Sequence, residues 1–318
     1  MRAYKTISCS VTGHRKKLED LPCEDATKVL HTLKGTLIAV ADGHGDKRCL
    51  FASTGAKLAT KAACEILKLY LKAVAGDAAV YWNGLRREIA MDIAKTFAYY
   101  VLSDYKSRCK ERITEQEVLE LQQHIREYFK QSDKALTPSE LREKFINKKS
   151  LNDKLSKILF LYGTTVRASV LTDTYIFNCA LGDGDTIAVI NDCVEWLLPQ
   201  TEAYGCETAS LCEPFETVID SFMFSFVECK SFAYQSDDVV SETSVFVPAL
   251  ILSTDGFRNS FFSPSLFEKK VLDITEAAQM NKKESRVSNL KLLYEKLSME
   301  SVFQDDISTI FAIRTKKM

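Results

Sequence analysis

Two textures of apolar spacing alternate along this chain: short unbroken runs and longer runs at helical period. Leu37-Ile38-Ala39-Val40-Ala41 is unbroken and stops at Asp42-Gly43-His44-Gly45. It predicts a buried strand over 36–41 that runs into a tight turn. From Ala52 to Ala75 the apolar residues recur at Ala56, Ala59, Ala63, Ile66, Leu67, Tyr70 and Leu71. That spacing predicts a helix with a wide apolar face, ended by Gly76. Helix continues over 79–103, with Ile89, Ile93, Phe97 and Val101 on one face. Beyond 160 the texture turns to strand. Thr164–Leu171, Tyr175–Ala180 and Thr186–Ile190 are β-rich, divided by Thr172-Asp173-Thr174 and Gly182-Asp183-Gly184-Asp185. These predict an antiparallel meander with short turns. Pro248–Ser253 is a further apolar strand that ends at Thr254-Asp255-Gly256; helices follow near 264–280 and 284–298. The last strand, Ile307–Ile313, is entered through Asp305-Asp306. Strands in hairpins beside long helices favour an α+β fold, antiparallel sheets flanked by helices, in one domain over 1–318.

Two stretches depart from this pattern. Residues 104–160 hold 13 basic and 10 acidic residues, no Gly and one Pro. Segments such as Glu115–Gln131 read as charged amphipathic helix, so 104–160 is expected to be a helical insertion, solvated or docking a partner protein. Residues 199–247 are irregular and flap-like, with one aromatic strand around Phe222–Val227.

Charge narrows the function classes. Lys and Arg number 42 against 43 Asp and Glu, a formal net charge of −1. A dedicated nucleic-acid binder would show a basic excess. With 46% hydrophobic residues the chain is also too apolar for disorder. No run approaches the ~18 apolar residues of a membrane span, and the N-terminus lacks a signal-peptide apolar core. A soluble cytoplasmic protein without membrane or nucleic-acid partners is expected. None of the 10 cysteines forms a C-x-x-C pair. Reduced cysteines packed as small hydrophobes are expected rather than zinc or redox sites. Trp82 and Trp196 are expected to pack, and His31 and His124 have no carboxylates near them in sequence.

Several carboxylates do not look like surface. Asp42 and Asp255 each end an apolar strand and precede Gly; Asp183 lies in a Gly-flanked turn; Asp305 precedes the final strand; Glu24-Asp25 precede the segment leading to strand 36–41. A single Asp-Gly pair is an ordinary turn. Recurrence at strand ends weighs against coincidence, and Gly beside the carboxylate lets a ligand approach the backbone. Carboxylates brought together cannot all stay ionised without counter-charge. All-oxygen ligands point to hard divalent ions, Mg²⁺ or Mn²⁺, over zinc.

The ordered set Glu24-Asp25, Val40-Ala41-Asp42-Gly43-His44-Gly45, Gly163-Thr164-Thr165, Leu181-Gly182-Asp183, Ser253-Thr254-Asp255-Gly256 and Asp305-Asp306-Ile307-Ser308-Thr309 resembles the metal-dependent protein phosphatase 2C family. Gly13-His14, Pro22-Cys23-Glu24-Asp25-Ala26 and Tyr204-Gly205-Cys206-Glu207-Thr208 look closer to a bacterial branch. The resemblance implies a four-layer α-β-β-α sandwich with a two-metal centre between the sheets. It implies that Asp42 bridges both ions, that Glu24 and the Gly43 carbonyl bind one, and that Asp255 and Asp305 bind the other. Asp25 would hold water beside the metals, and Asp183 with Asp255 would take a third, weaker ion. His44 matches the family's proposed general acid.

The implied activity is a metal-dependent serine/threonine phosphoprotein phosphatase in signalling, which hydrolyses phosphomonoesters by direct attack of a metal-bridging water. A poor alkoxide leaving group needs a proton, which an imidazole can supply. Two departures from the family stand out. Where members carry a phosphate-gripping Arg this chain has Asp20; His14, Arg15 or Lys16 could substitute, although Arg15-Lys16-Lys17 also reads as a solvated charge run. The family's G-D-S-R is Gly182-Asp183-Gly184-Asp185. Asp306, in place of a common Asn, is expected outside the ligand set. The alternatives are a catalytically weak phosphatase-like module acting through its insertion, and a phosphatase of a non-protein phosphomonoester.

Overall fold

Each central strand buries both of its faces, which is why the strands read as unbroken apolar runs. The computed structural model describes residues 4–46, 48–108, 149–199, 208–229, 246–280 and 283–315. Ten strands form two five-stranded antiparallel sheets. One sheet contains β2 (Ala26–His31), β3 (Thr36–Ala41), β4 (Val166–Leu171), β5 (Tyr175–Leu181) and β8 (Met223–Glu228), paired in that order. The other runs β1 (Tyr4–Val11), β10 (Ile307–Arg314), β9 (Ala249–Ser253), β6 (Asp185–Ile190) and β7 (Cys193–Trp196).

The period-2 alternation of a strand sorts side chains between two layers. In β3, Ile38 and Val40 face inward, where they meet Leu171, Ile176, Leu250, Leu252 and Ile310 between the sheets. Leu37, Ala39 and Ala41 face outward onto α2 (Ala52–Ala73) and α4 (Arg86–Arg108). Alanines at 56, 59, 62 and 63 let α2 lie close to that sheet. On the far side, Ile7, Ile187, Ile251 and Phe311 meet Phe267, Val271, Leu290 and Tyr294 of two later helices, Pro264–Met280 and Lys283–Glu300. Helix, sheet, sheet and helix thus stack with three apolar layers, the expected sandwich. Full burial of each large aliphatic side chain contributes about 1.5–3 kcal/mol.

The shorter helices are α1 (His14–Leu18), α3 (Ala78–Gly84), α5 (Lys149–Phe160), α6 (Phe215–Ser221) and α7 (Asp255–Asn259); the two outer ones above are α8 and α9. The expected insertion at 104–160 narrows at both ends. Residues 104–108 complete α4 and 149–160 form α5, with Tyr105, Ile158 and Leu159 buried in the core. Residues 109–148 lie outside the described set, as do 200–207 and 230–245 of the expected flap and His124. Within that flap α6 and β8 are regular, and β8 forms an edge of its sheet. No helix among the described residues is long and apolar enough to cross a membrane.

Candidate active site

Antiparallel pairing carries the singled-out residues to one end of the molecule. Ala41, which ends β3, pairs with Ala26, which begins β2. Ser253, which ends β9, pairs with Thr309 near the start of β10 and with Asp185 at the start of β6. Glu24-Asp25, Asp42, Asp183, Asp255 and Asp305 therefore share one rim of the two sheets.

The Gly163-Thr164-Thr165 segment fixes the turn after β3. The Asp42 carbonyl accepts from Thr165 N–H (2.9 Å) and Thr164 Oγ1 (2.8 Å), and Asp42 N–H donates to Thr165 Oγ1 (3.1 Å). Gly43 N–H donates to the Glu24 carbonyl (3.1 Å), and His44 N–H to the Gly163 carbonyl (3.0 Å). A Cβ on Gly163 would lie 2.6 Å from His44 Cδ2, so only glycine lets the imidazole pack there. A Cβ on Gly256 would lie 1.9 Å from the Asp306 carbonyl, so this glycine is what brings Asp255 against the entry to β10.

The carboxylates meet inside this frame. Asp42 lies within hydrogen-bonding reach of both Asp25 and Asp255. Asp25 is buried, and its Oδ2 accepts from Thr254 Oγ1 at 2.8 Å. Asp255 Oδ2 accepts from Asn259 Nδ2 at 2.8 Å, while its Oδ1 is buried with no hydrogen-bond partner. Asp305 Oδ1 accepts from Asp306 N–H at 2.8 Å. Burial pushes the carboxyls of Asp25, Asp42, Asp255 and Asp305 above the usual range, and the negative charges of their neighbours add to it. Asp183 acts on Asp255 in this way. Burial lowers the His44 imidazole, against the opposing charges of Asp183, Glu213 and Asp46.

Buried carboxylates this close need protons or cations between them. Among the described residues no group of three or more His, Cys, Asp or Glu is arranged to hold a metal ion. The donor set is nonetheless hard and all-oxygen, and it includes the buried Asp255 Oδ1, which has no hydrogen-bond partner. In chemical kind, oxygen donors such as these suit divalent cations like Mg²⁺ or Mn²⁺.

The family model for protein phosphatase 2C matches residues 12–293. The chain belongs to the protein phosphatase 2C family. The match spans every singled-out motif except the last, Asp305-Asp306-Ile307-Ser308-Thr309, which lies past its end. Solved phosphatase structures share the fold at low identity. A bacterial serine phosphatase is 10% identical, with 99% of both chains covered and a TM-score of 0.55. Stp1 from Staphylococcus aureus is 11% identical, with 99% of this chain and 98% of that one covered and a TM-score of 0.54. The PstP catalytic domain, solved in complex with two manganese ions, is 11% identical, with 98% and 99% covered and a TM-score of 0.50. A search of curated proteins finds no match.

The rim also holds residues with no motif of their own. Thr254 ties Asp25 to the final strand: its Oγ1 donates to Asp25 and accepts from Ser308 N–H at 3.1 Å. Asp306 is buried and saturated, accepting from Gly13 N–H, Glu24 N–H and Lys16 Nζ, each at 2.7 Å. It fastens β10 to α1 and Glu24. Arg167, a fully buried arginine in β4, donates to the carbonyls of Asp183 (2.9 Å) and Gly182 (3.0 Å). Asp185 stands where the family has Arg, and Arg258 Nε pairs with it at 3.1 Å. This cluster holds the β5–β6 turn against α7. A lone charge in the apolar run Val166–Leu171 was the visible sign of Arg167.

The bland readings hold elsewhere. Trp82 is buried, stacked on Phe177, and Trp196 packs on Phe267. His31 Nδ1 contacts Thr36 Oγ1 at the opposite end of the sheet. The cysteines among the described residues are free; Cys193 is exposed and does not pack as a hydrophobe.

Proposed function

We propose that this chain is a metal-dependent serine/threonine phosphoprotein phosphatase, and that Asp42, Asp255, Asp305, Glu24 and the Gly43 carbonyl hold two divalent ions. Asp25, and Asp183 with Asp255, lie next to that set, the latter pair suited to a third, weaker ion. The observation that carries the reading is the meeting of Asp42 with Asp25 and Asp255 while a buried Asp255 oxygen has no partner. Bound divalent ions would acidify a water at neutral pH and offset charge on the phosphoryl oxygens.

The chain's own residues do the rest. The Gly-Thr-Thr segment holds Asp42 and the Gly43 peptide rigid, so the ligand set is organised before substrate arrives. Thr254 orients Asp25 by donating to Oδ2. His44, held beside Gly163, donates a proton from an imidazole nitrogen to the departing serine or threonine oxygen. The solved PstP domain, with its two manganese ions, supports the choice of metal class. Phosphoprotein is favoured as substrate by the names of the three related structures given above, a serine phosphatase and two serine/threonine phosphatases.

The test is hydrolysis of a phosphothreonine peptide with and without Mn²⁺, in wild type, Asp42→Asn and Asp255→Asn. Wild type is expected to require the ion, and each variant to lose at least about 100-fold, the scale on which even outer partners of a metal act. Activity that survives chelation, or is unchanged in both variants, sinks the reading. Activity on small phosphomonoesters but on no phosphopeptide would leave the metal centre and reject the protein substrate.

A further inference from the structure

Lys16 differs from its neighbours on α1. Lys17 is a surface residue paired with Glu295. Lys16 points inward, with 13% of its side chain exposed. Its ammonium lies 2.7 Å from Asp306 Oδ2 and 2.7 Å from Glu24 Oε2. Asp306 cannot release it cheaply. That carboxylate is itself buried and fixed by the Gly13 and Glu24 amides, so losing the ammonium would leave a buried charge under-compensated. The contact with Glu24 is of another kind. It is as short, but Glu24 is the more exposed carboxylate, and its Oε2 has no partner besides this ammonium. Lys16 is thus anchored on Asp306 and leans on Glu24.

We propose that Lys16 is a resident cation of the centre, competing with a divalent ion for Glu24. This rests on the metal-dependent reading above. An ion arriving at Glu24 shares that carboxylate with a positive charge that Asp306 holds in place. The ion at this end is therefore bound more weakly, and exchanges more readily, than the one between Asp42, Asp255 and Asp305. The same lysine keeps the Glu24 segment neutralised and in position when that ion is away. No phosphoryl group enters this account.

Calorimetric titration of Mn²⁺ into chelator-stripped full-length protein tests it, using wild type, Lys16→Met, Glu24→Gln and the double variant. In Lys16→Met the weaker binding event is expected to tighten by about tenfold or more, while without Mn²⁺ this variant melts below wild type. Saturating Mn²⁺ closes that gap. In Glu24→Gln the weaker event disappears, and adding Lys16→Met restores nothing. Should Lys16→Met not fold, Lys16→Gln, which can still donate to Asp306, carries the same expectation. Mn²⁺ affinity that is unchanged or weaker in the lysine variant overturns the proposal, including the case in which only the KM for phosphopeptide rises. A tightening that persists in the Glu24→Gln background also overturns it. Failure of wild type to bind Mn²⁺ at all rejects the metal-dependent reading and this proposal together. Binding that Asp42→Asn abolishes but Lys16→Met leaves untouched rejects this proposal alone.

Discussion

In the acid role proposed for it, His44 would tie a measurable rate to one residue's environment. Burial lowers its imidazole below the usual 6.5, despite the opposing pull of Asp183, Glu213 and Asp46. As a proton donor it works only while protonated, and that fraction shrinks as pH rises through its titration. The rate on a phosphothreonine peptide is therefore expected to fall with rising pH along a limb centred below 6.5. Aryl phosphate, whose leaving group departs without a proton, is expected to lack that limb. His44→Ala removes the limb and costs about 10²–10⁴-fold on the peptide, with much less on aryl phosphate. Paired pH–rate profiles check this; an equal loss on both substrates counts against the acid role. The candidate carboxylates were legible in sequence because each sits at a strand end beside Gly, a local sign. Thr254 was not legible as a partner of Asp25, because 229 residues separate the two and only the sheet pairing joins them. Lys16 stood among three candidates to replace the missing Arg; its buried contacts with Asp306 and Glu24 give it a different place.

At the scale of elements, legibility followed burial. β3, β4, β5, β9 and β10 bury both faces, so their apolar runs announced them. β2 buries only Ala26 fully, and β7 is an edge of four residues, so neither stands out from its surroundings. β1 alternates, with Tyr4, Ile7, Cys9 and Val11 buried, but its polar residues hide it among the basic residues that follow. The β5–β6 turn offers the element-scale prediction. Gly184 has φ +100°, and Arg167 grips the carbonyls on its N-terminal side, while Asp185 holds Arg258 on the other. Arg167→Met fills similar volume yet strips donors from two carbonyls and leaves the buried Asp185 with less compensation. It is expected to cost at least about 2 kcal/mol in urea unfolding, since each buried acceptor left without its donor costs about 1–3 kcal/mol. Asp185→Asn, which keeps the shape and leaves Arg258 without its charge partner, is expected to destabilise as well. A loss within about 0.5 kcal/mol in either variant, the size of an ordinary surface substitution, would falsify the view that this turn is clamped by charge.

For the whole molecule the carboxylate rim is a liability that bound cations would relieve. Asp25, Asp42, Asp255 and Asp305 have carboxyls raised by burial and by one another, so the folded protein holds protons that the unfolded chain has released. The sign follows directly: where the folded state binds more protons than the unfolded one, stability falls as pH rises. In chelator the melting temperature is expected to fall from about pH 5 to about pH 8, a window above the ordinary carboxylate range. Mn²⁺ supplies the missing charge, so it is expected to flatten that slope and to raise stability at neutral pH by about 2.7 kcal/mol once free ion exceeds its Kd by ~100-fold. Asp42→Asn reverses the usual expectation for changing a buried residue of a catalytic centre. It removes the carboxylate that touches two others, so in chelator the variant is expected to be more stable than wild type, on the order of 1–3 kcal/mol at neutral pH. In Mn²⁺ the order inverts, because the variant has lost the group that both ions would share. Melting curves of the two proteins, with chelator and with Mn²⁺, give four numbers that check both signs. A metal-free Asp42→Asn protein that melts below wild type would mean that packing and hydrogen bonds through Asp42 outweigh the cost of crowding its carboxyl against its neighbours, and would overturn this account.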